Sequence, residues 1–64
     1  MLLDTLELIK LRESRGLSNS ELAEKLELSP ATITRLENGE RNASIKTLKK
    51  LARFYNVSVD KLLV

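Results

Sequence analysis

Apolar residues recur along this chain at spacings of three and four, with polar residues between them. Such a period gathers apolar side chains on one face of an α-helix. The pattern predicts an all-α fold, a compact domain of five short helices. The expected core residues, in helix order, are Leu8 and Leu11; Leu22, Ala23 and Leu26; Ile33 and Leu36; Ile45, Leu48, Leu51, Ala52 and Tyr55; and Val59, Leu62 and Leu63, with Leu17, Leu28 and Val57 filling the connections.

Capping residues and helix breakers set the predicted helix ends. Two Asp/Ser-to-Glu pairs have the spacing of a capping box, in which side chains accept hydrogen bonds from free first-turn amides. These pairs are Asp4 with Glu7 and Ser18 with Glu21. Proline after an N-cap serine marks a helix start, and glycine or asparagine marks a helix end. The predicted helices are about Thr5–Ser14 before Gly16, Ser18 to about Glu27, Pro30 (after Ser29) to Gly39, Ser44 to near Asn56, and a short last turn from Ser58.

The third predicted helix has a face that the core does not use. At 100° per residue, Ile33, Leu36 and Glu37 fall on one side. The opposite side carries Ala31, Thr34 and Arg35, with Thr32 at its edge. This second face is free to contact another molecule.

Composition excludes several functions. The chain has no Cys and no His, which excludes disulfides, zinc fingers and every nucleophile paired with histidine. It also has no glycine-rich phosphate loop, so we expect no enzyme, no cofactor, no metal and no small-molecule site. Asp4 and Glu7 interrupt the apolar N-terminus, and no run approaches the roughly 18 apolar residues of a membrane span. We therefore expect no membrane partner and a cytoplasmic location.

Charge is divided unequally between the two halves of the chain. Residues 1–28 carry four basic and six acidic side chains, whereas residues 29–64 carry seven basic and three acidic ones. A basic half is the electrostatic signature that nucleic-acid binding requires. It is equally typical of a solvated helix face, so charge alone leaves both interpretations open.

The segment from Leu17 to Gly39 consists of two short helices joined by a turn of three or four residues. That arrangement is the helix-turn-helix, whose second helix enters the major groove of DNA. Together with the downstream residues, it resembles the Cro and phage-repressor family from about Leu8 to Leu63. The downstream matches are Arg41, Ser44, Thr47–Leu48, Leu51–Ala52 and Val57–Asp60. The resemblance implies one repressor-like domain over residues 1–64, with the helix-turn-helix at about 18–38.

The resemblance also implies which residues read bases. The start of the third helix would offer Pro30, Ala31 and Thr32 to the base edges, with Arg35 one turn later. A guanidinium can pair with O6 and N7 of guanine, and alanine or a threonine methyl can pack on a thymine methyl. The alternatives are that Arg35 is solvated or clamps phosphate, and that Ala31 and Thr32 only permit close approach.

Other positions match phosphate contacts of the family. They are Asn19, Ser20, Asn38, Arg41 and Lys46. Asn19 and Ser20 begin the second helix, where the helix dipole favours anions, although plain capping is compatible with both. The family usually has Gln where this chain has Asn19, and the shorter amide reaches less far. A solvated lysine is nearly as good an interpretation of Lys46, and Lys49, Lys50 and Arg53 are expected to face water or to supply only diffuse attraction.

The resemblance assigns Arg12 and Glu37 a structural role. In proteins of this family, an arginine of the first helix pairs with a glutamate at the place of Glu37. We therefore expect a largely buried ion pair between Arg12 and Glu37. Losing one partner would leave an uncompensated charge in the interior.

The predicted function is sequence-specific binding of double-stranded DNA by a bacterial or phage transcriptional regulator, a repressor that binds a palindromic operator as a homodimer. The prediction covers a complete regulator or the DNA-binding part of a longer repressor. The alternative is a protein-binding module, such as an antitoxin that also represses its own operon. Two apolar groups are candidates for the dimer contact, and the second is favoured: Leu2, Leu6 and Ile9, or Phe54, Leu63 and Val64.

Overall fold

The computed structural model describes residues 2–40 and 43–64. Over these residues the backbone forms four α-helices, one 3-10 turn and one isolated β-bridge. The helices are α1 (Thr5–Ser14), α2 (Asn19–Leu26), α3 (Pro30–Glu37) and α4 (Ile45–Tyr55), followed by the 3-10 turn Val59–Leu62. The all-α prediction is confirmed for this part of the chain. None of the helices described there is long and apolar enough to cross a membrane.

The predicted fifth helix is wrong, because the last element is a single 3-10 turn. Ser58 makes no side-chain cap bond, and the chain is already extended at Leu63, so the costly helix nucleus is never propagated. Leu63 instead pairs with Leu3 in an antiparallel bridge. Hydrogen bonds from the Asp4 amide to the Leu62 carbonyl (2.8 Å) and from the Val64 amide to Leu2 (3.0 Å) flank this bridge. The bridge makes Leu3 a core residue that helical periodicity did not predict.

The predicted N-caps are confirmed. In each α-helix the cap side chain accepts a hydrogen bond from the amide three residues later, and the caps are Asp4, Ser18, Ser29 and Ser44. The capping box of Ser18 and Glu21 is complete. The box predicted for Asp4 is only half formed, since the Glu7 carboxylate lies 3.6 Å from the Lys61 ammonium instead.

The turn between α2 and α3 begins one residue earlier than predicted. Glu27 lies outside α2 in the left-handed conformation, with φ of 58°. This conformation lets the Leu28 amide donate to the Ala23 carbonyl at 2.8 Å and directs the chain towards Ser29, the cap of α3. A left-handed residue therefore sets the angle between the two helices of the predicted motif.

The core lies where all the described elements meet. Its side chains are those predicted, with Leu3 added and four exceptions among the expected residues. Ile45 is 55% exposed because it begins α4 beyond the edge of the core. Leu11, Val59 and Leu63 are half-buried and pack against the core, as do the connecting residues Leu17, Leu28 and Val57.

Tyr55 closes the core beneath α1. The Arg15 guanidinium lies 5.5 Å from the Tyr55 ring centre and donates to the Tyr55 carbonyl at 3.2 Å, which ties the ends of α1 and α4 together. The ring is 3% exposed, and the hydroxyl has no hydrogen-bond partner among the described residues. Burial raises the pKa of Tyr55 to about 12, because a phenolate loses its hydration there.

Arg12 joins α1 to α3. Its Nε donates to a Glu37 carboxylate oxygen at 2.9 Å, and a second nitrogen donates to the Leu17 carbonyl at 2.8 Å. The two charged side chains are only 16% and 8% exposed. The hydrogen bond to Glu37 raises the pKa of the Arg12 guanidinium above its ordinary value. One side chain thus fixes the connection after α1 and the C-terminal turn of α3.

Replacing Tyr55 with Phe is expected to leave the free energy of unfolding at pH 7 unchanged or higher, since an unpartnered hydroxyl leaves the interior. In the wild type, the unfolded chain loses the phenol proton near pH 10 and the folded chain near pH 12. Stability is therefore full below pH 10 and falls by about 2–3 kcal/mol as the pH rises towards 12. Urea unfolding between pH 8 and 11.5 should show about 2 kcal/mol of that fall in the wild type and a smaller fall in the variant.

For the ion pair, Arg12→Met alone or Glu37→Leu alone is expected to cost about 3–5 kcal/mol of unfolding free energy, because each leaves one buried charge without its partner. The double substitution should cost much less than the sum of the two. Thermal unfolding followed by circular dichroism checks the cycle. Additive costs would contradict a coupled pair.

Candidate nucleic-acid interface

The exposed face of α3 is continuous along the helix. Ile33 and Leu36 are buried in the core at 1% and 2% exposure. The residues on the other side are exposed, and they are Pro30, Ala31, Thr34 and Arg35, with Thr32 half-buried at the edge. Because Pro30 is the first residue of the helix, its missing amide removes no hydrogen bond.

Arg35 is the cation of this face. Its side chain is exposed, and within residues 2–40 and 43–64 no carboxylate lies at ion-pair distance from it. Its backbone is fixed, since the Arg35 carbonyl accepts the Glu40 amide at 2.9 Å after the end of α3. The guanidinium is therefore available to a ligand while its attachment to the fold is rigid.

Thr32 is tied to the start of α3. Its hydroxyl lies 2.8 Å from the Ser29 hydroxyl, and its amide donates to the same Ser29 oxygen at 3.2 Å. The hydroxyl is thus bonded to the cap residue of α3, and the side chain also carries a methyl group for an apolar contact.

The N-terminus of α2 lies against the exposed face of α3. The Asn19 side-chain amide donates to the Thr34 hydroxyl at 3.0 Å, across fifteen residues of chain. Ser20, the next residue, is exposed. The capping box uses the amides of Ser18 and Glu21, which leaves the first-turn amides of Asn19 and Ser20 for an external acceptor.

Glu21 contributes a negative charge at this helix end. Hydrogen bonds from the Ser18 backbone amide and hydroxyl lower the pKa of the Glu21 carboxyl below its ordinary value. The carboxylate is fully exposed and is held at the start of α2 by the bond to the Ser18 amide, 2.9 Å long.

Two predicted phosphate contacts lie after α3, and one lies on α4. Asn38 is the C-cap of α3, and its side-chain amide donates to a Glu40 carboxylate oxygen at 3.2 Å. Arg41 lies outside the described residues. Lys46 is exposed at the second position of α4. The bond to Asn38 thus brings one acidic side chain, Glu40, beside the predicted phosphate contacts.

The prediction that the remaining cations of α4 face water is correct for two of the three. Lys49 and Arg53 are exposed. Lys50 is half-buried and donates to the Leu26 carbonyl at 2.9 Å, which caps the C-terminal end of α2. A lysine there stabilises the negative end of the helix dipole. Among the described residues, no group of three or more acidic side chains could hold a metal ion.

Sequence patterns do not predict two features of this surface, the bond of Thr34 and the presence of Glu40. Periodicity places Thr34 on the exposed face, but its bond to Asn19 depends on the angle between α2 and α3. Glu40 stands just after a glycine in a connection, where periodicity carries no information. The spacing of Asn38 and Glu40, two residues apart in a turn, was the signal that could have predicted their contact.

Comparison with known proteins agrees with this geometry. A family model described as helix-turn-helix matches residues 8–62. The chain is 33% identical over 54 residues to the HTH-type transcriptional activator BcrR of Enterococcus faecalis, covering 84% of this chain and 26% of that protein. It is 38% identical over 54 residues to the HTH-type transcriptional regulator DdrOP3 of Deinococcus deserti, covering 84% of this chain and 42% of that regulator.

A third relative is closer to this chain in length. The chain is 34% identical over 58 residues to an uncharacterized HTH-type transcriptional regulator of Archaeoglobus fulgidus, covering 86% of this chain and 83% of that protein. No solved structure matches the chain. The family model and these relatives agree with the helix pair α2–α3: the chain belongs to the helix-turn-helix family of DNA-binding transcription regulators, of the Cro and phage-repressor type.

Proposed function

We propose that this chain is a sequence-specific repressor that binds a palindromic operator as a homodimer, with α3 in the major groove. The observation that carries the proposal is the exposed face of α3, which includes the exposed Arg35 and borders the first turn of α2. In a helix-turn-helix, the second helix reads bases while the first crosses the backbone. Binding of this kind locates the chain on the nucleoid, in the cytoplasm.

Base reading is assigned to Arg35, with Pro30, Ala31 and Thr32 nearest the bases. Arg35 is exposed and is held on a capped helix, so its guanidinium can form the bidentate pair with guanine. Pro30 and Ala31 present no polar group to the groove. The bond between the Thr32 and Ser29 hydroxyls holds the Thr32 side chain in place, and its methyl group can pack on a thymine methyl.

Phosphate binding is assigned to two sides of this face. Asn19 and Ser20 supply side chains and first-turn amides at the positive end of the α2 dipole. Asn38, Arg41 and Lys46 supply the other side. The Asn38 amide gives one hydrogen to Glu40 and keeps the second for a phosphate. Contacts of this kind set register on the duplex without reading its sequence.

Dimerisation is assigned to the surface where the chain termini meet. Leu2 and Val64 are 67% and 87% exposed, and a hydrogen bond joins their backbones. Leu6, at the start of α1, is 73% exposed. The bridge between Leu3 and Leu63 thus merges parts of the two apolar groups that the sequence offered as alternatives. Two copies would place their α3 helices on half-sites about one turn of DNA apart.

Repression is the proposed output, although BcrR is named an activator. The chain spans about a quarter of the length of BcrR and about two fifths of the length of DdrOP3. The effect of the whole protein on transcription is therefore part of the proposal. The alternative is a protein-binding role, such as that of an antitoxin. The following experiment favours this alternative if the chain selects no duplex.

Selection of random duplexes on the purified chain is expected to enrich a palindrome that contains guanine in each half-site. Arg35→Ala should lose that guanine preference, at a cost of about 1–3 kcal/mol in discrimination. Binding isotherms at two salt concentrations measure the loss for the selected duplex and for one with the guanine replaced.

Arg53→Ala is the matched control, because it removes the same charge from an exposed position on α4. It should keep the wild-type base preference. Equal preference in the wild type and the Arg35 variant would contradict base reading by Arg35. Absence of any enriched sequence, with weak binding that salt abolishes, would contradict the specific-regulator function.

Glu40→Gln is expected to strengthen DNA binding about three- to ten-fold at low salt, because it removes a like charge from beside the proposed phosphate contact of Asn38. Glutamine can still accept the Asn38 hydrogen bond. The gain should shrink as salt screens the repulsion. Asp60→Asn, an equal charge change on the 3-10 turn, is the control, and an equal gain there would show that net charge alone is responsible.

A further inference from the structure

Asn19 and Thr34 form the side-chain hydrogen bond that joins the two helices of the motif on their exposed side. The Asn19 Nδ2 donates to the Thr34 Oγ1 at 3.0 Å. Asn19 is the first residue of α2, and Thr34 lies in the middle of α3. Neither the core nor helix capping requires this bond, because Ser18 and Ser29 already cap the two helices.

The direction of the bond decides what Thr34 can still do. A threonine hydroxyl has one hydrogen to donate and two lone pairs to accept with. Within the described residues, the Thr34 hydroxyl makes one hydrogen bond, in which it accepts from Asn19. Its own hydrogen is therefore available, and the bond to Asn19 fixes where the oxygen lies. Asn19 keeps the second hydrogen of its amide group.

The position of Thr34 on α3 separates it from Arg35. Successive residues of a helix point 100° apart, and the bond to Asn19 sets Thr34 on the flank of α3 that faces the start of α2. In a helix-turn-helix on DNA, the first helix of the motif crosses the sugar-phosphate backbone. If α3 enters the groove, this flank is the one beside the sugar-phosphate backbone, and Arg35 lies 100° further round the helix.

We propose that Thr34 is a further DNA-contacting residue, whose hydroxyl donates to a single backbone phosphate in each half-site, and that Asn19 is its positioning residue. This inference rests on the proposed function. Thr34 is neutral, so its contact adds affinity without releasing counterions. It reads no base, because a phosphate is the same in every sequence.

Thr34→Val tests the proposal, because it removes the hydroxyl and keeps the branched shape. Binding of the selected duplex should weaken about ten-fold, with the base preference, the salt dependence and the melting temperature unchanged. Thr34→Ser keeps the hydroxyl and should restore most of the affinity. Asn19→Ala should weaken binding, because it removes both the phosphate contact assigned to Asn19 and the bond that positions Thr34. The positioning role predicts that Thr34→Val adds little in that background.

Uncharged methylphosphonates placed one at a time along the duplex identify the phosphate. At one position in each half-site, the loss of affinity should be clearly smaller for Thr34→Val than for the wild type, whereas positions that meet other residues should weaken both proteins equally. A merely structural role would lower the melting temperature and leave every methylphosphonate effect in place, which would overturn the proposal. So would wild-type affinity in Thr34→Val, or a changed base preference. If the wild type selects no duplex, the proposed function fails as well.

Discussion

Arg12 occupies the point at which three parts of the chain depend on one another. Its guanidinium bonds the Leu17 carbonyl, which ends the connection from α1, and the Glu37 carboxylate, which belongs to the last turn of α3. Ile33 and Leu36 bury the same helix in the core. An ion pair on the surface would add little to the free energy of unfolding. The side chains of Arg12 and Glu37 are nearly buried, so removing either partner leaves the other charge uncompensated in the interior, which is costly. The orientation of α3 is thereby fixed before any ligand arrives.

A fixed α3 explains why so short a chain can offer a rigid surface. Each helix is capped by a side chain at its start. Lys50 caps the end of α2, and the left-handed Glu27 sets the turn that follows. These local bonds leave the polar face of α3 and the first turn of α2 side by side, as the bond between Asn19 and Thr34 records. Recognition then needs little reordering of backbone, which keeps the entropic cost of binding low.

The sequence predicted most of this fold because its signals are local. Apolar periodicity and caps depend on residues three or four apart, and they located all four α-helices to within one or two residues. The prediction of a fifth helix was wrong because Leu63 pairs with Leu3, which is distant in the sequence, and does not continue into another helical turn. In the candidate interface, the same limit applies. The contacts of Thr34 with Asn19, and of Lys50 with the Leu26 carbonyl, depend on how α2 packs against α3 and α4, which no spacing in the sequence encodes.

We propose that the first turn of α2 and the exposed face of α3 form one DNA-binding surface. Amide chemical shifts of the 15N-labelled chain, followed as the selected duplex is added, test this proposal. We expect the largest changes at residues 19–20 and 31–35, with small changes around Leu3 and Leu63 apart from those caused by dimerisation. Changes confined to the outer face of α4, with residues 31–35 unaffected, would contradict it.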